Sequence, residues 1–212
     1  LDMGFSDDIL QIEKHLPKDR QTILFSATMP QKIQQLARTI LNNPVEVKLA
    51  VSKPADKIQQ SAYVCYEAQK LPLIKHLFKT QRPERVIIFT GSKIKTKDLA
   101  VSLSRAGFNV CAMHSDLAQS ERDEAMYAFR AGKVDVLVAT DIVARGIDID
   151  DIQLVINYDV PHDEEDYVHR IGRTARAGRN GRAITLVNEK DQYKFRQIER
   201  FLEKDVEKAA MP

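Results

Sequence analysis

Between residues 59 and 208, short apolar runs alternate almost without a break with longer amphipathic segments. This alternation constrains the fold more than any other feature of the chain. Val86-Ile87-Ile88-Phe89 and Val134-Asp135-Val136-Leu137-Val138-Ala139 are nearly continuous apolar runs, the pattern of strands buried on both faces. Strands are expected at 60–66, 85–90, 108–112, 134–139, 152–158 and 182–187. Helices are expected at 68–79, 93–105, 119–131, 163–175 and 189–208. Gly107 and Gly132 stand just past two of these helices, where left-handed caps form. The order predicts one complete α/β domain over 59–208, a parallel sheet with helices on both faces built from right-handed βαβ units.

Residues 1–50 carry less. Ser6-Asp7-Asp8 reads as a helix cap ahead of Ile9, Ile12 and Leu16, and Gln21 to Ser26 as a short strand. Pro30 opens a second helix with the stripe Ile33, Leu36, Ala37, Ile40 and Leu41; Asn42-Asn43-Pro44 stops it, and Val45 to Lys48 is a second short strand. Two short strands do not make a stable sheet. The segment is therefore expected to be the trailing part of another α/β domain, joined by a polar linker over 51–58 that contains Pro54.

Composition removes several classes. The 212 residues are 43% hydrophobic and 29% charged with a net charge of +2. That is too apolar for disorder and too balanced for a uniformly basic protein. No run reaches the roughly 18 apolar residues of a membrane span, and Leu1 to Phe5 lacks a signal-peptide pattern, so a cytoplasmic location is expected. Cys65 and Cys111 lie in strand-like runs without C-x-x-C spacing and read as buried free thiols of a reducing compartment. His15, His76, His114, His162 and His169 show no close ligand spacing, so no metal site is expected in the chain.

In an open α/β sheet, ligands bind outside the carboxyl ends of the strands. There stand Ser26-Ala27-Thr28, Thr90-Gly91-Ser92-Lys93, His114-Ser115-Asp116, Thr140-Asp141 and Asp159. Small hydroxyls, a glycine and a lysine suit a phosphate-lined cleft. The sharpest feature is Arg170, Arg173, Arg176, Arg179 and Arg182, five arginines spaced by three with no acid between Tyr167 and Asn188. The guanidinium fork matches phosphate oxygens in a way lysine does not. Walker A is absent: Gly132-Lys133 is followed by Val134 and has Tyr127 where glycine is required. Asp123-Glu124-Ala125 is continued by Met126 in mid-helix and is not an acidic metal motif.

Taken in order, Ser26-Ala27-Thr28, Ile88-Phe89-Thr90-Gly91-Ser92-Lys93, His114 with Gln119 and Arg122, Ala139-Thr140-Asp141 through Arg145-Gly146-Ile147-Asp148, and His169-Arg170-Ile171-Gly172-Arg173-Thr174-Ala175-Arg176 resemble motifs III to VI of the DEAD-box ATP-dependent RNA helicases of superfamily 2. Leu1 to Phe5 resembles the segment just after that family's acidic box, and Arg-Thr-Ala-Arg-Ala-Gly resembles the bacterial RhlE-like subgroup. The resemblance covers the whole chain. It implies a RecA-like parallel sheet with helices on both faces, preceded by a fragment of a second RecA-like domain that carries motif III.

The resemblance also implies roles. Arg173 and Arg176 match the arginine fingers that reach the ATP γ-phosphate, and Asp148 the carboxylate that accepts from the ribose hydroxyls. Ser92, Gln119, Arg122, Thr140 and Gly146 match RNA-contacting positions. Ser26, Thr28 and His169 match residues that couple the two domains. Arg170 is expected to be structural, and Arg179 and Arg182 to be surface charge. ATP with Mg²⁺ is the implied cofactor, with the metal ligands outside this chain. Single-stranded or short duplex RNA is the implied partner, unwound by ATP-driven domain closure. A non-catalytic RNA-binding module and a fragment of a DNA-directed superfamily 2 translocase stay open as alternatives. Ile94 after Lys93 and Ala175 in place of a frequent glycine depart from the family pattern. Residues 1–50, with their apolar stripe, are expected to disorder, dock or self-associate.

Overall fold

The computed structural model describes residues 5–26, 29, 31–47, 57–141, 149, 151–175 and 180–212, and the chain divides into two compact units, Leu1–Ser52 and Lys53–Pro212. In the second unit, apolar runs separated by amphipathic segments become strands separated by helices. The elements are β1 (Ile58–Val64), α3 (Glu67–Gln81), β2 (Val86–Phe89), α4 (Lys93–Arg105), β3 (Val110–Met113), α5 (Gln119–Arg130), β4 (Val136–Ala139), β5 (Leu154–Asn157), α6 (Glu164–Ile171), β6 (Gly181–Val187), α7 (Gln192–Leu202) and β7 (Glu207–Lys208). All strand pairs are parallel, in the order β3-β4-β2-β5-β6-β1-β7.

Every residue of β2, β4 and β5 is buried, as their continuous apolar runs require. Alternation along each strand sorts the side chains into two layers. Val86, Ile88, Val136, Val138, Leu154, Ile156, Ile184 and Leu186 meet Leu73, Ile74, Leu77 and Phe78 of α3 and Leu99 and Leu103 of α4 on one face. On the opposite face, Ile87, Phe89, Leu137 and Val155 pack with Phe129 of α5. Ala183 and Val187 there pack with Tyr167 and Ile171 of α6 and Phe195 and Ile198 of α7. Helices thus cover both faces. Gly107 and Gly132 have φ of +88° and +68°, the left-handed geometry expected of helix caps.

Two elements differ from the sequence expectation. The final helix ends at Leu202 instead of 208, and Glu207–Lys208 instead pairs with β1 beside Ser61 and Ala62. A two-residue edge strand is too short to leave a periodic signal. The expected helix over 163–175 stops at Ile171, because Thr174 turns away to donate its hydroxyl to the Ile152 carbonyl at 2.5 Å.

The first unit contains α1 (Ser6–Lys14) and α2 (Gln31–Ile40). Ile33, Leu36 and Ala37 are buried along the expected stripe of α2. The two strands expected in this unit do not form: 21–26 and 45–47 are irregular and pair with nothing in a ladder among the described residues. Their apolar side chains are left in solvent, Phe25 at 91% and Val45 at 90% exposure. β-Propensity becomes a strand only where a neighbour supplies the ladder.

One close approach brings the start of β6 against the residues that follow α6. A Cβ on Gly181 would stand 2.6 Å from the Ala175 amide nitrogen and closer still to the Thr174 hydroxyl. Ala175 itself has φ +58°, a left-handed conformation that costs a non-glycine residue roughly 1–2 kcal/mol. Its methyl packs against the α6–α7 layer, which offsets part of that cost. Gly181→Ala is expected to destabilise this unit by about 1–3 kcal/mol, because the clash involves backbone that cannot rotate aside. Urea unfolding measures it; an unchanged midpoint would show that the approach is not tight.

Candidate functional site

The register levels the strand ends. Phe89 pairs with Ala139 and Asn157, and Met113 with Ala139. The next residues, Thr90, Thr140, Tyr158 and His114, therefore stand in one row along four neighbouring strands. Chain order is β2, β3, β4, β5, yet spatial order is β3-β4-β2-β5. The hydroxyl-bearing loops separated in sequence are thereby brought to one edge.

Ser92 caps α4, its hydroxyl accepting from the Lys95 amide at 3.3 Å. Beneath it Thr90 and Thr96 share a buried hydroxyl–hydroxyl bond of 2.6 Å. Lys93 and Lys97 both reach Asp116 at 2.8 Å. Hydrogen bonds from those two ammonium groups hold the Asp116 pKa at about 2. Gln119 begins α5 in solvent and donates to Asp123 at 2.9 Å, and Arg122 donates to the Ser115 carbonyl at 2.9 Å. Arg122 thus braces the turn after β3. Thr140 is half-buried, its amide 3.4 Å from the Met113 carbonyl. His114 is only 5% exposed, and its Nδ1 has no hydrogen-bond partner among the described residues. Burial, with the Lys97 and Lys93 charges, pushes its pKa below the usual histidine value.

The same edge holds a charge cluster that the sequence reading missed. Lys70 is 0% exposed. Its ammonium lies 2.8 Å from Glu67 and 3.1 Å from Asp159, and over the Tyr158 ring. Lys95 reaches the same two carboxylates, Asp159 at 2.8 Å and Glu67 at 3.0 Å. Asn188 donates to Glu67 at 2.7 Å, and the Gly91 amide to Asp159 at 2.8 Å. Two cations and two anions balance, as burial demands. Burial alone would raise the Asp159 pKa, but hydrogen bonds from Lys95 and the Gly91 amide, with the Lys70 charge, hold it below the usual carboxylate value. Glu67 is depressed in the same way: burial opposes its charge and hydrogen bonds from Lys70, Asn188 and Lys95 outweigh it. The signal in the sequence was positional. Lys70 lies on the stripe that continues as Leu73, Ile74, Leu77 and Phe78, a core face on which a lysine needs a reason.

The arginine ladder does not act as one patch. Arg170 is buried, donating to both Asp141 oxygens at 2.5 and 2.6 Å, to the Asp159 carbonyl at 2.8 Å and to Asn157 at 3.3 Å, with its guanidinium over Phe89. It is a buried structural clamp. Arg173 is half-buried at the end of α6 and donates to the His169 carbonyl at 3.1 Å. Arg182 lies at the opposite end of the sheet, exposed, on Gln81 at 3.0 Å. A groove of about 820 Å³ is also at that opposite end, lined by Gln59, Gln153, Gly181, Arg182 and Lys204, away from the levelled strand ends. Thr28, Gly146, Asp148, Arg176 and Arg179 lie outside the described residues, and Ser26 is exposed in the first unit. Cys65 is buried and Cys111 half-buried, both as free thiols. No helix among the described residues is long and apolar enough to cross a membrane, and none of their side chains form a group able to hold a metal ion.

The depressed Asp159 and Glu67 give a signed pH dependence. A carboxylate with a lowered folded pKa contributes stability fully above its unfolded value of about 4, lost as pH falls through the folded value. Unfolding free energy is therefore expected to hold down to about pH 5 and to fall below about pH 4. Asp159→Asn should cost about 1–3 kcal/mol at neutral pH by leaving the buried Lys70 with Glu67 as its remaining carboxylate, and should make the acid limb shallower. Chemical denaturation across the pH range checks both; an acid limb unchanged by the substitution would contradict the assignment.

The matches to known proteins agree with this geometry. The helicase conserved C-terminal domain matches residues 69–178. The DEAD-box ATP-dependent RNA helicase RhpA of Helicobacter pylori is 40% identical, the alignment covering 100% of this chain and 43% of the relative. The DEAD-box ATP-dependent RNA helicase CshA of Bacillus subtilis is 39% identical, with 100% and 43% covered. The chain thus spans less than half the length of these curated relatives. Among solved structures, S. cerevisiae Dbp5 bound to RNA and ADP BeF3 matches with a TM-score of 0.88 at 34% identity, over 97% of this chain and 55% of that one. The E. coli DEAD-box protein SrmB, bound to regulator of ribonuclease activity A, matches with a TM-score of 0.69 at 40% identity, over 72% of this chain and 91% of that one. The RecA-like α/β fold expected from the motifs is the fold of the second unit. By motif order, sheet topology and these matches together, the chain belongs to the helicase conserved C-terminal domain family, in the form found in DEAD-box proteins.

Proposed function

We propose that this chain supplies the RNA-binding surface and the arginine fingers of an ATP-dependent RNA helicase that separates short duplexes by domain closure. The reading rests above all on the levelled row of strand ends, which gathers Ser92, Thr140 and the Arg122-braced turn at one edge. Ser92, Gln119, Arg122, Thr140 and Gly146 grip phosphates and 2′-hydroxyls, which carry no base identity and distinguish RNA from DNA. Arg173 and Arg176 meet the γ-phosphate, where charge grows in the transition state, and Asp148 meets the ribose. His169 couples this motif to Ser26 and Thr28. ATP supplies the phosphoanhydride whose hydrolysis resets the open state; the Mg²⁺ ligands belong to the first RecA-like domain, of which residues 1–50 are the motif III tail. The setting is the cytoplasm. Assignment to the RhlE-like subgroup rests only on the Arg173-to-Gly178 wording.

Walker A and the acidic box are not in the 212 residues, so the chain alone is expected to show no RNA-stimulated ATP hydrolysis. Joined to a first RecA-like domain that carries both, it should hydrolyse ATP. There Arg173→Ala should lower turnover at least ~10²-fold with RNA affinity little changed. A phosphate-release assay decides: turnover by the chain alone, or an unaffected Arg173→Ala variant, rejects the assignment. Equal affinity for oligodeoxynucleotide would favour a DNA-directed translocase, and RNA binding without turnover in the joined protein a non-catalytic module.

Residues 1–50 are further proposed to self-associate, since Ile23, Phe25, Val45 and Val47 are exposed. Sedimentation should show a concentration-dependent dimer; a clean monomer excludes it.

A further inference from the structure

Asp159 is the point at which three loops of the strand-end row meet. Its Oδ2 accepts from the Gly91 amide at 2.8 Å, the residue next to Ser92. Its Oδ1 receives Lys70 and Lys95 at 3.1 and 2.8 Å, and so ties down the first turns of α3 and α4. Its own carbonyl accepts from Arg170 at 2.8 Å, and Arg170 grips both oxygens of Asp141, beside Thr140. The approach is close: a Cβ on Gly91 would stand 3.3 Å from Oδ2. Neither Lys70, wholly buried, nor Asp159, 8% exposed, can serve as a direct contact for a nucleic acid.

We propose that Asp159 is a positioning residue. Through Gly91 it sets where Ser92 stands, and through Arg170 it sets where Thr140 and α6 stand, so that the RNA-gripping loops keep one spacing. The proposal rests on the RNA-binding reading above and adds a residue that never touches the RNA. The charge balance explains why the device is ionic. A neutral acceptor could hold the Gly91 amide, but a carboxylate also shares with Glu67 the charges of Lys70 and Lys95. Loop spacing and fold stability are therefore linked through one side chain, and separating them is the test.

The wild-type chain, bound to fluorescein-labelled oligouridylate at low salt, is compared with two variants. In Lys70→Met combined with Asp159→Leu, apolar groups of similar volume replace the buried pair, so folding is retained while the link to Gly91 is lost. Asp159→Glu keeps the charge balance but lengthens the arm, and folds even if the double variant does not. Thermal unfolding by circular dichroism establishes the folded state of each. The folded double variant is expected to bind RNA about tenfold more weakly than wild type, and adding Ser92→Ala to it should cost less than adding Ser92→Ala to wild type. Asp159→Glu is expected to bind severalfold more weakly with a melting temperature close to wild type. Wild-type affinity in a folded variant, or additivity with Ser92→Ala, overturns the positioning role alone. No salt-dependent binding by the wild-type chain overturns the RNA-binding reading and the inference with it.

Discussion

The buried ammonium of Lys70 organises the carboxyl edge of this sheet. An isolated charge of that kind costs several kcal/mol to remove from water, so the fold must bring anions to it. Glu67 comes from the same helix turn, but Asp159 comes from the far side of β5, 89 residues along the chain. Once Asp159 is in place, its remaining oxygen and its carbonyl are committed to Gly91 and Arg170. Arg170 in turn needs Asp141. Satisfying one buried cation therefore ties together Gly91, Asp141 and Asp159 after β2, β4 and β5, beside Ser92 and Thr140, two of the residues proposed to contact RNA.

Parallel topology makes this possible. Antiparallel hairpins place successive loops at alternate ends, whereas each βαβ crossover returns the chain in the same direction. Every strand then delivers its following loop to one edge. The insertion of β2 between β4 and β5 places Thr90 at the centre of the row, flanked by Thr140 and Tyr158. Edge position is legible in the strands: β2, β4 and β5 are buried throughout, while three of the four residues of edge strand β3 are partly exposed.

The evenly spaced arginines share a chemistry but not a place: Arg170 was expected to be structural and Arg182 surface charge, and they stand at opposite ends of the sheet. Over 21–26 and 45–47 the expected strands do not form among the described residues, because propensity describes a residue whereas a ladder needs a partner. The left-handed backbone of Ala175 and its close approach to Gly181 are likewise invisible in the identity of either residue.

What the sequence determined by itself was the period and the edge. Continuous apolar runs fixed which segments are strands covered on both faces, and the polar residues just after them named Ser92, Asp116, Thr140, Asp141 and Asp159; Gln119 and Arg122 came from the resemblance of the motifs. Motif order fixed the family. Tertiary structure alone decided which of these residues are partners. Strand order is set by crossovers whose lengths do not encode neighbours, so the pairing of Asp159 with Lys70 and Gly91, and of Arg170 with Asp141, could not be read locally. Long-range electrostatic satisfaction is a property of the assembled sheet, because only assembly removes the water that would otherwise solvate each charge.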